Sequence, residues 1–491
     1  MQNRPTLTAR LKDPSLLQTG AFVGGEWIAG NARFAVDDPA TGARLADVTN
    51  LGPDDARAAI AVAEKAWPGW RNQTAKARHA ILMRWFELLV ANADDLATIM
   101  TAEQGKPLAE ARGEVVYAAS FVEWFAEEAK RVNGETLPNF DPTKRVMVLR
   151  QPIGVCAAIT PWNFPLAMFT RKCAPALAAG CSVLLKPAEL TPLTALAATE
   201  LARRAGIPAG VLNVLTADSD NSIAIGKVLC ASDTVRHISF TGSTEVGRIL
   251  MAQSAPSVKK MSLELGGNAP FIVFDDADID SAVTGAIASK YRNAGQTCVC
   301  ANRIYVQAGV YDRFVQKFAE KAGALKVGNG FDDGVALGPL IEPAAVQKVE
   351  RHLADALSKG GRVVVGGKPA RGQFFEPTVV ADATAEMLCA REETFGPFAP
   401  IFRFETEQQA IDAANASEFG LASYFYSRDI GRIYRVAEAL ESGMVGINSG
   451  VISTEHVPFG GVKQSGLGRE GSSHGIDEYL EMKYLCLGDI Q

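Results

Sequence analysis

The chain has 491 residues, too many for one hydrophobic core, and this length indicates roughly two to four structural units. Hydrophobic residues make up 47% and charged residues 21%, which is typical of packed globular proteins and excludes a disordered one. The formal net charge is −6 with acids and bases interleaved, so the sequence offers no basic stripe for nucleic acid or for an anionic membrane.

The first half of the chain predicts surface helices followed by a parallel sheet. Apolar residues at mixed three- and four-residue spacing predict helices over 55–66, 78–92 and 108–130. From residue 155 the short apolar runs VCAAIT, SVLLKP, LNVLT and HISFTG alternate with helix-length segments. One such segment begins at Thr191 and Pro192 and stops before Gly206, as capped helices do. This alternation favours a sheet covered by helices on both faces.

The second half predicts another α/β unit and an outlying pair of strands. The apolar runs APFIVF, NRIYVQ, RVVVGG, FFEPTVV and MVGINS form a second alternating set, so we place a domain boundary near Gly266 and Gly267. The segments 145–150 and 479–487 alternate more sharply, as half-exposed strands do. These two segments could pair into a flap that another subunit completes.

The termini and the cysteines favour a cytoplasmic protein without a metal site. Residues 1–20 hold no apolar leader, and no stretch reaches the ~18 apolar residues of a membrane-spanning helix. The eight cysteines include no CxxC motif, and the five histidines form no closely spaced pair. We therefore expect reduced thiols, no metal cofactor, and neither nucleic acid nor membrane as a partner.

Three segments carry residues suited to covalent chemistry on a carbonyl. Cys298 in GQTCVC is surrounded by small and polar residues, and its thiol, with an ordinary pKa of ~8.5, needs an activating base or dipole. Glu264 ends an apolar run before a Gly-Gly turn, where it could act as a base, and Asn163 in PWNFP could donate to an oxyanion. Each has a plainer alternative: a buried cysteine, a solvated acid and a turn asparagine.

Three further segments suit a dinucleotide. In HISFTGSTEVG a strand, a turn at Gly242 and a helix could present a helix N-terminus to a pyrophosphate, although an ordinary βα turn has the same pattern. Lys186 and Glu189 follow a strand and could bind a ribose diol, or form a surface ion pair. Glu393 and Phe395 in EETFGP could clamp a nicotinamide, or lie in an exposed acidic loop.

In order and spacing, PWNFP, LLKPAELTP, FTGSTEVG, SLELGGNAP, GQTCVC, EETFGP and PFGGVKQSGLGRE resemble the aldehyde dehydrogenase superfamily over essentially the whole chain. The longer strings YAASFVEWFAEEAKR and KYRNAGQTCVCANR are similar to its bacterial succinate-semialdehyde branch, whose members often also accept glutarate semialdehyde. The resemblance implies an α/β fold with a Rossmann-like dinucleotide-binding domain over 1–138 and 157–266. It also implies an α/β catalytic domain over 267–477 and a small β oligomerisation flap over 139–156 and 478–491.

The resemblance also implies roles for individual residues. Cys298 would be the nucleophile, Glu264 the general base, and the amide of Asn163 with the backbone N–H of Cys298 the oxyanion hole. The residues implied to bind the cofactor are Thr160, Trp162, Asn163, Lys186, Pro187, Ala188, Glu189, Gly242, Ser243, Leu265, Glu393 and Phe395. After LNVLT the chain departs from the family, because Ala217 stands where glycine is usual.

Substrate and redox residues follow from the same branch. Arg171, Arg292 and Ser453 would hold a substrate carboxylate, since a guanidinium suits that group, although either arginine could instead form a structural ion pair. Cys300, two residues after Cys298, would form a reversible disulfide with it, or be a second small buried residue.

The function implied is oxidation of succinate semialdehyde, and of glutarate semialdehyde, to the dicarboxylate through a thiohemiacetal and a thioester. NAD is expected as cofactor with NADP weaker, because Glu189 would place a carboxylate beside a 2′-phosphate. The expected assembly is a homo-oligomer, a dimer of dimers. The alternatives are another small aldehyde such as an aminoaldehyde, and a non-catalytic scaffold, which the joint presence of Cys298, Glu264 and Asn163 disfavours.

Overall fold

The computed structural model describes residues 6–490. In chain order its helices are α1 (Leu7–Arg10), α2 (Pro53–Arg71), α3 (Ala75–Ala91), α4 (Ala93–Gln104), α5 (Leu108–Glu128), α6 (Pro165–Ala179), α7 (Pro192–Ala205), α8 (Ser219–Ala231), α9 (Thr244–Ser254), α10 (Ile279–Tyr291), α11 (Tyr311–Gly323), α12 (Pro343–Ser358), α13 (Leu388–Arg391), α14 (Glu407–Asn415) and α15 (Ile430–Ala439).

Its strands are β1 (Ala21–Val23), β2 (Glu26–Ile28), β3 (Arg33–Asp37), β4 (Arg44–Thr49), β5 (Glu135–Leu137), β6 (Arg145–Pro152), β7 (Val155–Ile159), β8 (Ser182–Lys186), β9 (Leu212–Val214), β10 (Val235–Thr241), β11 (Lys260–Glu264), β12 (Ala269–Val273), β13 (Ala301–Gln307), β14 (Arg362–Val365), β15 (Thr378–Ala383), β16 (Phe398–Phe404), β17 (Phe419–Gly420), β18 (Ala422–Tyr426), β19 (Met444–Ile447), β20 (Val462–Lys463), β21 (Gly466–Leu467) and β22 (Leu480–Leu487).

The first large sheet has the order β2-β1-β9-β8-β7-β10-β11-β21, and its five central strands run parallel. The chain moves outward from β7 through β8 to β9, then returns to β10 beside β7 and continues to β11. Because the winding direction reverses between β7 and β10, the loops that follow these two strands separate and open a crevice. The predicted alternation of strands and helices is confirmed, and α7 begins and ends at its predicted caps.

The second large sheet has the order β14-β15-β16-β13-β12-β18-β19 and is parallel except for β14. Four residues, 265–268, connect Glu264, the last residue of β11, to Ala269, the first residue of β12. The carboxyl edge of the first sheet therefore faces the amino edge of the second. The expected boundary at Gly266 and Gly267 falls inside this short connection.

The two sharply alternating segments pair with each other. β22 runs antiparallel to β6 over eight residues, and β5 adds a third strand. Three details differ from the expected boundaries. β5 lies within 1–138, β7 begins inside 139–156 but joins the first large sheet, and β21, within 267–477, pairs with β11. Strands of two or three residues are too short to show a period in the sequence, so β5 and β21 gave no signal.

The helical prediction missed one element near the site. The predicted segments 55–66, 78–92 and 108–130 correspond to α2, α3 and α5, whereas α4 was not predicted. Nine of the twelve residues of α4 are buried, including the polar Glu103 and Gln104, so this helix lacks the polar face on which the pattern depends. Across residues 6–490, every helix is too short or too polar to cross a membrane.

Two buried glutamates cap the amino ends of the helices that support the crevice. Glu114 on α5 accepts hydrogen bonds from the N–H groups of Leu166 (3.0 Å) and Ala167 (3.2 Å) at the start of α6. Glu103 on α4 accepts from the N–H groups of Leu193 (2.7 Å) and Thr194 (2.8 Å) at the start of α7. The first N–H groups of a helix have no partner inside it, so these acids satisfy donors that burial would otherwise leave unpaired.

Replacing Glu103 with leucine should destabilise the protein. Two buried N–H groups lose their acceptor at about 1–3 kcal/mol each, so we expect the free energy of unfolding to fall by roughly 2–6 kcal/mol. Thermal unfolding followed by circular dichroism measures the effect. Glu103→Gln keeps one acceptor oxygen, so its unfolding temperature should lie between those of the wild type and Glu103→Leu. An unchanged unfolding temperature in Glu103→Leu would contradict this role.

Candidate active site

A cavity of about 410 Å³ lies in the crevice between the two large sheets. It is walled by the loops that follow β7 and β10, by the connection after β11, and by loops of the second sheet. Eight of the residues selected from the sequence line it: Trp162, Asn163, Gly242, Ser243, Leu265, Cys298, Glu393 and Phe395. Distant segments of the chain therefore meet at one place.

Cys298 stands on the loop that precedes β13 and is half-buried. The loop turns through Asn293 and Ala294, whose φ angles of 51° and 54° are left-handed, and then through Gly295. Gly267 packs directly against it, since a Cβ on Gly267 would overlap the carbonyl oxygen of Cys298. Only glycine allows this approach. The connection between the two sheets thus fixes the position of the Cys298 backbone at the cavity.

The thiol of Cys298 is protonated at neutral pH in this environment. Burial raises its pKa to about 12, while the positive charge of Arg171 acts in the opposite direction. Only a thiolate is a strong nucleophile. The reaction therefore needs a base, or the approach of further positive charge, to ionise Cys298.

Asn163, expected from the sequence to donate to an oxyanion, lines the same cavity as Cys298. Its side-chain nitrogen donates to the backbone carbonyl of Gln296 at 2.9 Å, which ties it to the loop of Cys298. The backbone carbonyl oxygen of Asn163 accepts from Lys106 Nζ at 2.8 Å and from Asn293 Nδ2 at 3.0 Å. A carboxamide carries two N–H groups, so one remains for a ligand in the cavity.

Glu264 ends β11 and is 3% exposed. Among residues 6–490 neither of its oxygens has a hydrogen-bond partner. Burial raises its pKa well above the ordinary value, and the negative charge of Glu470 raises it further. Burial thus favours the neutral form of Glu264, and contact with water or a cation would favour the basic form.

The residues expected at the pyrophosphate and nicotinamide lie around the cavity. Ser243 caps α9, its hydroxyl accepting from the N–H of Val246 at 3.3 Å. Trp162 and Phe395 meet edge to face with ring centres 5.6 Å apart. Glu393 accepts from the N–H of Gly267 at 3.2 Å, and burial raises its pKa to about 7.

The residues expected at the adenosine ribose lie outside this cavity, one strand further along the same edge. The N–H of Thr160, after β7, donates to the carbonyl of Lys186, the last residue of β8, at 3.1 Å. Lys186 Nζ lies 3.3 Å from Glu189 Oε2, an ion pair in which the lysine is buried and the glutamate is about a third exposed. Burial lowers the pKa of Lys186. Pro187 and Ala188 form the buried turn between the two charged residues.

The expected carboxylate clamp is only partly assembled. Arg292 and Ser453 line one small cleft with Thr297 and Val299, the neighbours of Cys298 in the chain. Arg171 is not among the residues of that cleft. Its guanidinium is buried, where Nε donates to Glu470 at 2.6 Å and Nη1 donates to the hydroxyl of Tyr117 at 3.2 Å.

Two charged residues of this region were missed in the sequence. Glu470 accepts from Arg171 and from Lys172, whose ammonium also donates to Ser239 at 3.1 Å. Glu470 is the last residue of PFGGVKQSGLGRE. Lys106 follows a Gly in EQGKP, a pattern that indicates a turn after a helix.

Cys300 faces the interior rather than the cavity. It is buried, and its thiol contacts the carbonyl oxygen of Lys290 at 3.7 Å. The intervening Val299 is held by the hydroxyl of Tyr424, which donates to its carbonyl at 2.8 Å. A disulfide with Cys298 would require this segment to rearrange, and the redox switch stays a prediction. Within residues 6–490, His, Cys, Asp and Glu side chains form no group able to hold a metal ion.

Residues 27–485 match the aldehyde dehydrogenase family. The chain is 60% identical to a glutarate-semialdehyde dehydrogenase of Pseudomonas putida, over 97% of this chain and 99% of the relative. It is 59% identical to a succinate-semialdehyde dehydrogenase of Escherichia coli named for NADP(+), over 98% and 100%. The crystal structure of a succinate-semialdehyde dehydrogenase from Burkholderia pseudomallei is similar at a TM-score of 0.96 and 62% identity, covering 97% and 99%. All segments of the site fall inside these matches.

The raised pKa of Cys298 predicts a distinct pH dependence. Because iodoacetamide reacts with the thiolate, its rate with Cys298 should still rise about ten-fold per pH unit at pH ~10, whereas a thiol of pKa ~8.5 would have levelled off. Mass spectrometry of the peptide that carries Cys298 measures the rate in protein free of cofactor. Cys298→Ala provides the background from Cys300, which lies in the same peptide. A plateau near pH ~8.5 would contradict the expectation.

Proposed function

This chain belongs to the aldehyde dehydrogenase family, and we propose that it oxidises succinate semialdehyde, and also glutarate semialdehyde, to the dicarboxylate with NAD(P). One arrangement carries the proposal. Cys298 and Asn163 line the same cavity, while Arg292 and Ser453 line a cleft that also includes Thr297 and Val299, the neighbours of Cys298 in the chain. An aldehyde at the thiol could therefore extend a carboxylate toward a guanidinium.

The chemistry starts at the Cys298 sulfur. Its thiolate adds to the aldehyde carbon, and the oxyanion of the resulting thiohemiacetal accepts from the free N–H of Asn163 and from the backbone N–H of Cys298. A nicotinamide ring held near Trp162, Glu393 and Phe395 would supply the hydride acceptor for the oxidation of this adduct to a thioester of Cys298. Glu264 then takes a proton from the water that attacks the thioester carbon, and the C–S bond breaks to release the acid.

The residues along the crevice suit the parts of a dinucleotide. The amino end of α9 at Ser243 offers free N–H groups to a diphosphate, and the carboxylate of Glu393 suits a ribose hydroxyl. Lys186 and Glu189 suit the second ribose, and Trp162 provides an apolar wall. The remaining residues of the proposed cofactor site are Thr160, Pro187, Ala188, Gly242, Leu265 and Phe395.

The flap supports assembly with further copies of the chain. β22 lies at the edge of its sheet and exposes Met482 and Tyr484, with 75% and 57% of their surfaces accessible. A long edge strand with apolar side chains is a template for pairing with another chain. We infer a homo-oligomer, a dimer of dimers, in which the flap extends a sheet of a neighbouring subunit.

The two chemical roles are separable by mutation. Cys298→Ala should abolish turnover and leave dinucleotide binding intact, because the thiol supplies only covalent chemistry. Glu264→Gln should still acylate and then stall, so a burst of NADH about equal to the active sites should precede a slow steady state. Stopped-flow absorbance of NADH measures both phases. Turnover in Cys298→Ala would overturn the mechanism, and loss of the burst in Glu264→Gln would assign that acid to activation of the thiol.

The carboxylate clamp predicts a loss confined to charged substrates. Removing the guanidinium of Arg292 by Arg292→Gln costs a charge-assisted bond of about 1.5–3 kcal/mol, hence roughly 10- to 150-fold in kcat/KM for succinate semialdehyde. Butanal, an uncharged aldehyde of equal length, is the control. Arg171→Gln, measured in parallel, tests the more buried arginine. Equal losses with butanal would make an arginine part of the scaffold, and a preference for an aminoaldehyde would replace the substrate proposed here.

Glu189 should favour NAD over NADP. Its carboxylate can accept from both ribose hydroxyls, whereas a 2′-phosphate would bring like charges together at a cost on the order of 1–4 kcal/mol. We expect a ratio of kcat/KM of about ten or more, limited by the ammonium of Lys186. Glu189→Ser should lower that ratio. A wild type that prefers NADP, or an unchanged ratio in the variant, would rule out this role.

A further inference from the structure

The ammonium of Lys106 is buried beneath the loop that carries Asn163. Lys106 is 1% exposed and follows Gly105, whose φ of 92° ends α4 and turns the chain toward α5. Its Nζ lies 2.5 Å from a carboxylate oxygen of Glu114, 2.8 Å from the carbonyl oxygen of Asn163, and 4.0 Å from the centre of the Phe164 ring. Asn163 is the proposed oxyanion donor, Phe164 follows it in the chain, and Glu114 caps the helix that follows them both.

Stability alone does not account for this ion pair. Removing an ammonium and a carboxylate from water costs about as much as their attraction returns, and well-packed apolar residues of the same size often serve as well. What the pair provides is geometry, because a buried charge must keep its partners in place. Lys106 has two such partners, Glu114 on one side and the peptide carbonyl of Asn163 on the other.

The carbonyl of Asn163 is the point at which the loop is held. It accepts from Lys106 and also from Asn293 Nδ2 at 3.0 Å, so the plane of the peptide that follows Asn163 is fixed by two donors. The side chain of the same residue donates to Gln296 at 2.9 Å. Asn293 and Gln296 both belong to the loop of Cys298. The direction of the Asn163 amide relative to the thiol therefore depends on the orientation of that carbonyl.

Glu114 extends the same support to α6. Its second oxygen accepts from Leu166 and Ala167, the first turn of the helix that begins two residues after Asn163. The loop is thus fixed on both sides by one pair of residues from the turn after α4 and from α5.

We propose that Lys106 is a positioning residue of the oxyanion hole, acting through the carbonyl of Asn163 without contacting the substrate. This inference rests on the roles proposed above for Cys298 and Asn163. Part of the acylation rate would then depend on a lysine outside the cavity. Reactions of the Cys298 thiol that form no oxyanion should not depend on Lys106.

The test compares two reactions of Cys298 in the full-length enzyme. Acylation by p-nitrophenyl acetate passes through a tetrahedral oxyanion and needs no cofactor, whereas alkylation by iodoacetamide is a direct displacement without one. In Lys106→Met we expect the acylation burst to slow about 10- to 100-fold, since small misplacements of a catalytic group have effects of that size. Alkylation should stay within about two-fold of the wild type.

Lys259 provides a matched control. Its ammonium also donates to backbone carbonyls, those of Leu229 in α8, Ser232 just after that helix, and Val235 at the amino end of β10, and none of these residues lines the cavity. Lys259→Met should leave the ratio of acylation to alkylation unchanged. If Lys106→Met does not fold, Lys106→Gln, which keeps a donor without the charge, is measured in its place with the same expected direction.

A coupling measurement separates this inference from the proposed mechanism. If Lys106 acts through Asn163, then Lys106→Met made in Asn163→Ala should slow acylation by no more than about two-fold further. Asn163→Ala that acylates at the wild-type rate would overturn the oxyanion role of Asn163 itself. A different pair of results would overturn only the role of Lys106. In that case Asn163→Ala acylates slowly, whereas the Lys106 variant either acylates at the wild-type rate or loses alkylation in the same proportion as acylation.

Discussion

Acidic side chains on the adjacent helices α4 and α5 accept hydrogen bonds from the N–H groups at the starts of the segments around the active site. Glu103 closes α7, Glu114 closes α6, and Glu110 accepts from the N–H of Asn293 at 2.9 Å, where the loop of Cys298 begins. A buried carboxylate tolerates few arrangements, because each oxygen needs donors at fixed distances. The helices that frame the crevice and the loop that carries the nucleophile are therefore set by α4 and α5, which do not themselves line the cavity.

The second constraint is the length of the connection between the two sheets. Four residues join Glu264 to Ala269, so the carboxyl edge of one sheet must face the amino edge of the other. A switch point in the first sheet opens a crevice at that edge, which is where dinucleotides bind in open α/β sheets. Cys298 comes from the opposite edge, and glycine at position 267 lets its loop approach without a collision. The proposed cofactor site and the thiol therefore adjoin each other because the domains are joined there.

The sequence predicted residues that stand at strand ends far better than residues that act from helices. Asn163, Ser243 and Glu393 adjoin motifs of proline and glycine, whose turns are readable, and all three line the cavity. Glu114 was hidden because the helical pattern over 108–130 assigns charges to a solvent face, yet its side chain is 1% exposed. Arg171 could not be separated from Arg292 by pattern, since the ion pair with Glu470 joins residues almost 300 positions apart.

Burial favours the protonated forms of the acidic groups in the site, although the reaction needs their charged forms. The pKa values of Cys298, Glu264 and Glu393 are all raised by burial, so each acid tends to keep its proton. Exclusion of water from a cavity strengthens the hydrogen bonds to an oxyanion and protects the adduct from premature attack. Hydrolysis of the thioester, however, needs water at Glu264, and water would also lower the pKa of that acid. Hydration after hydride transfer would therefore deliver the second reactant and activate its base in one event.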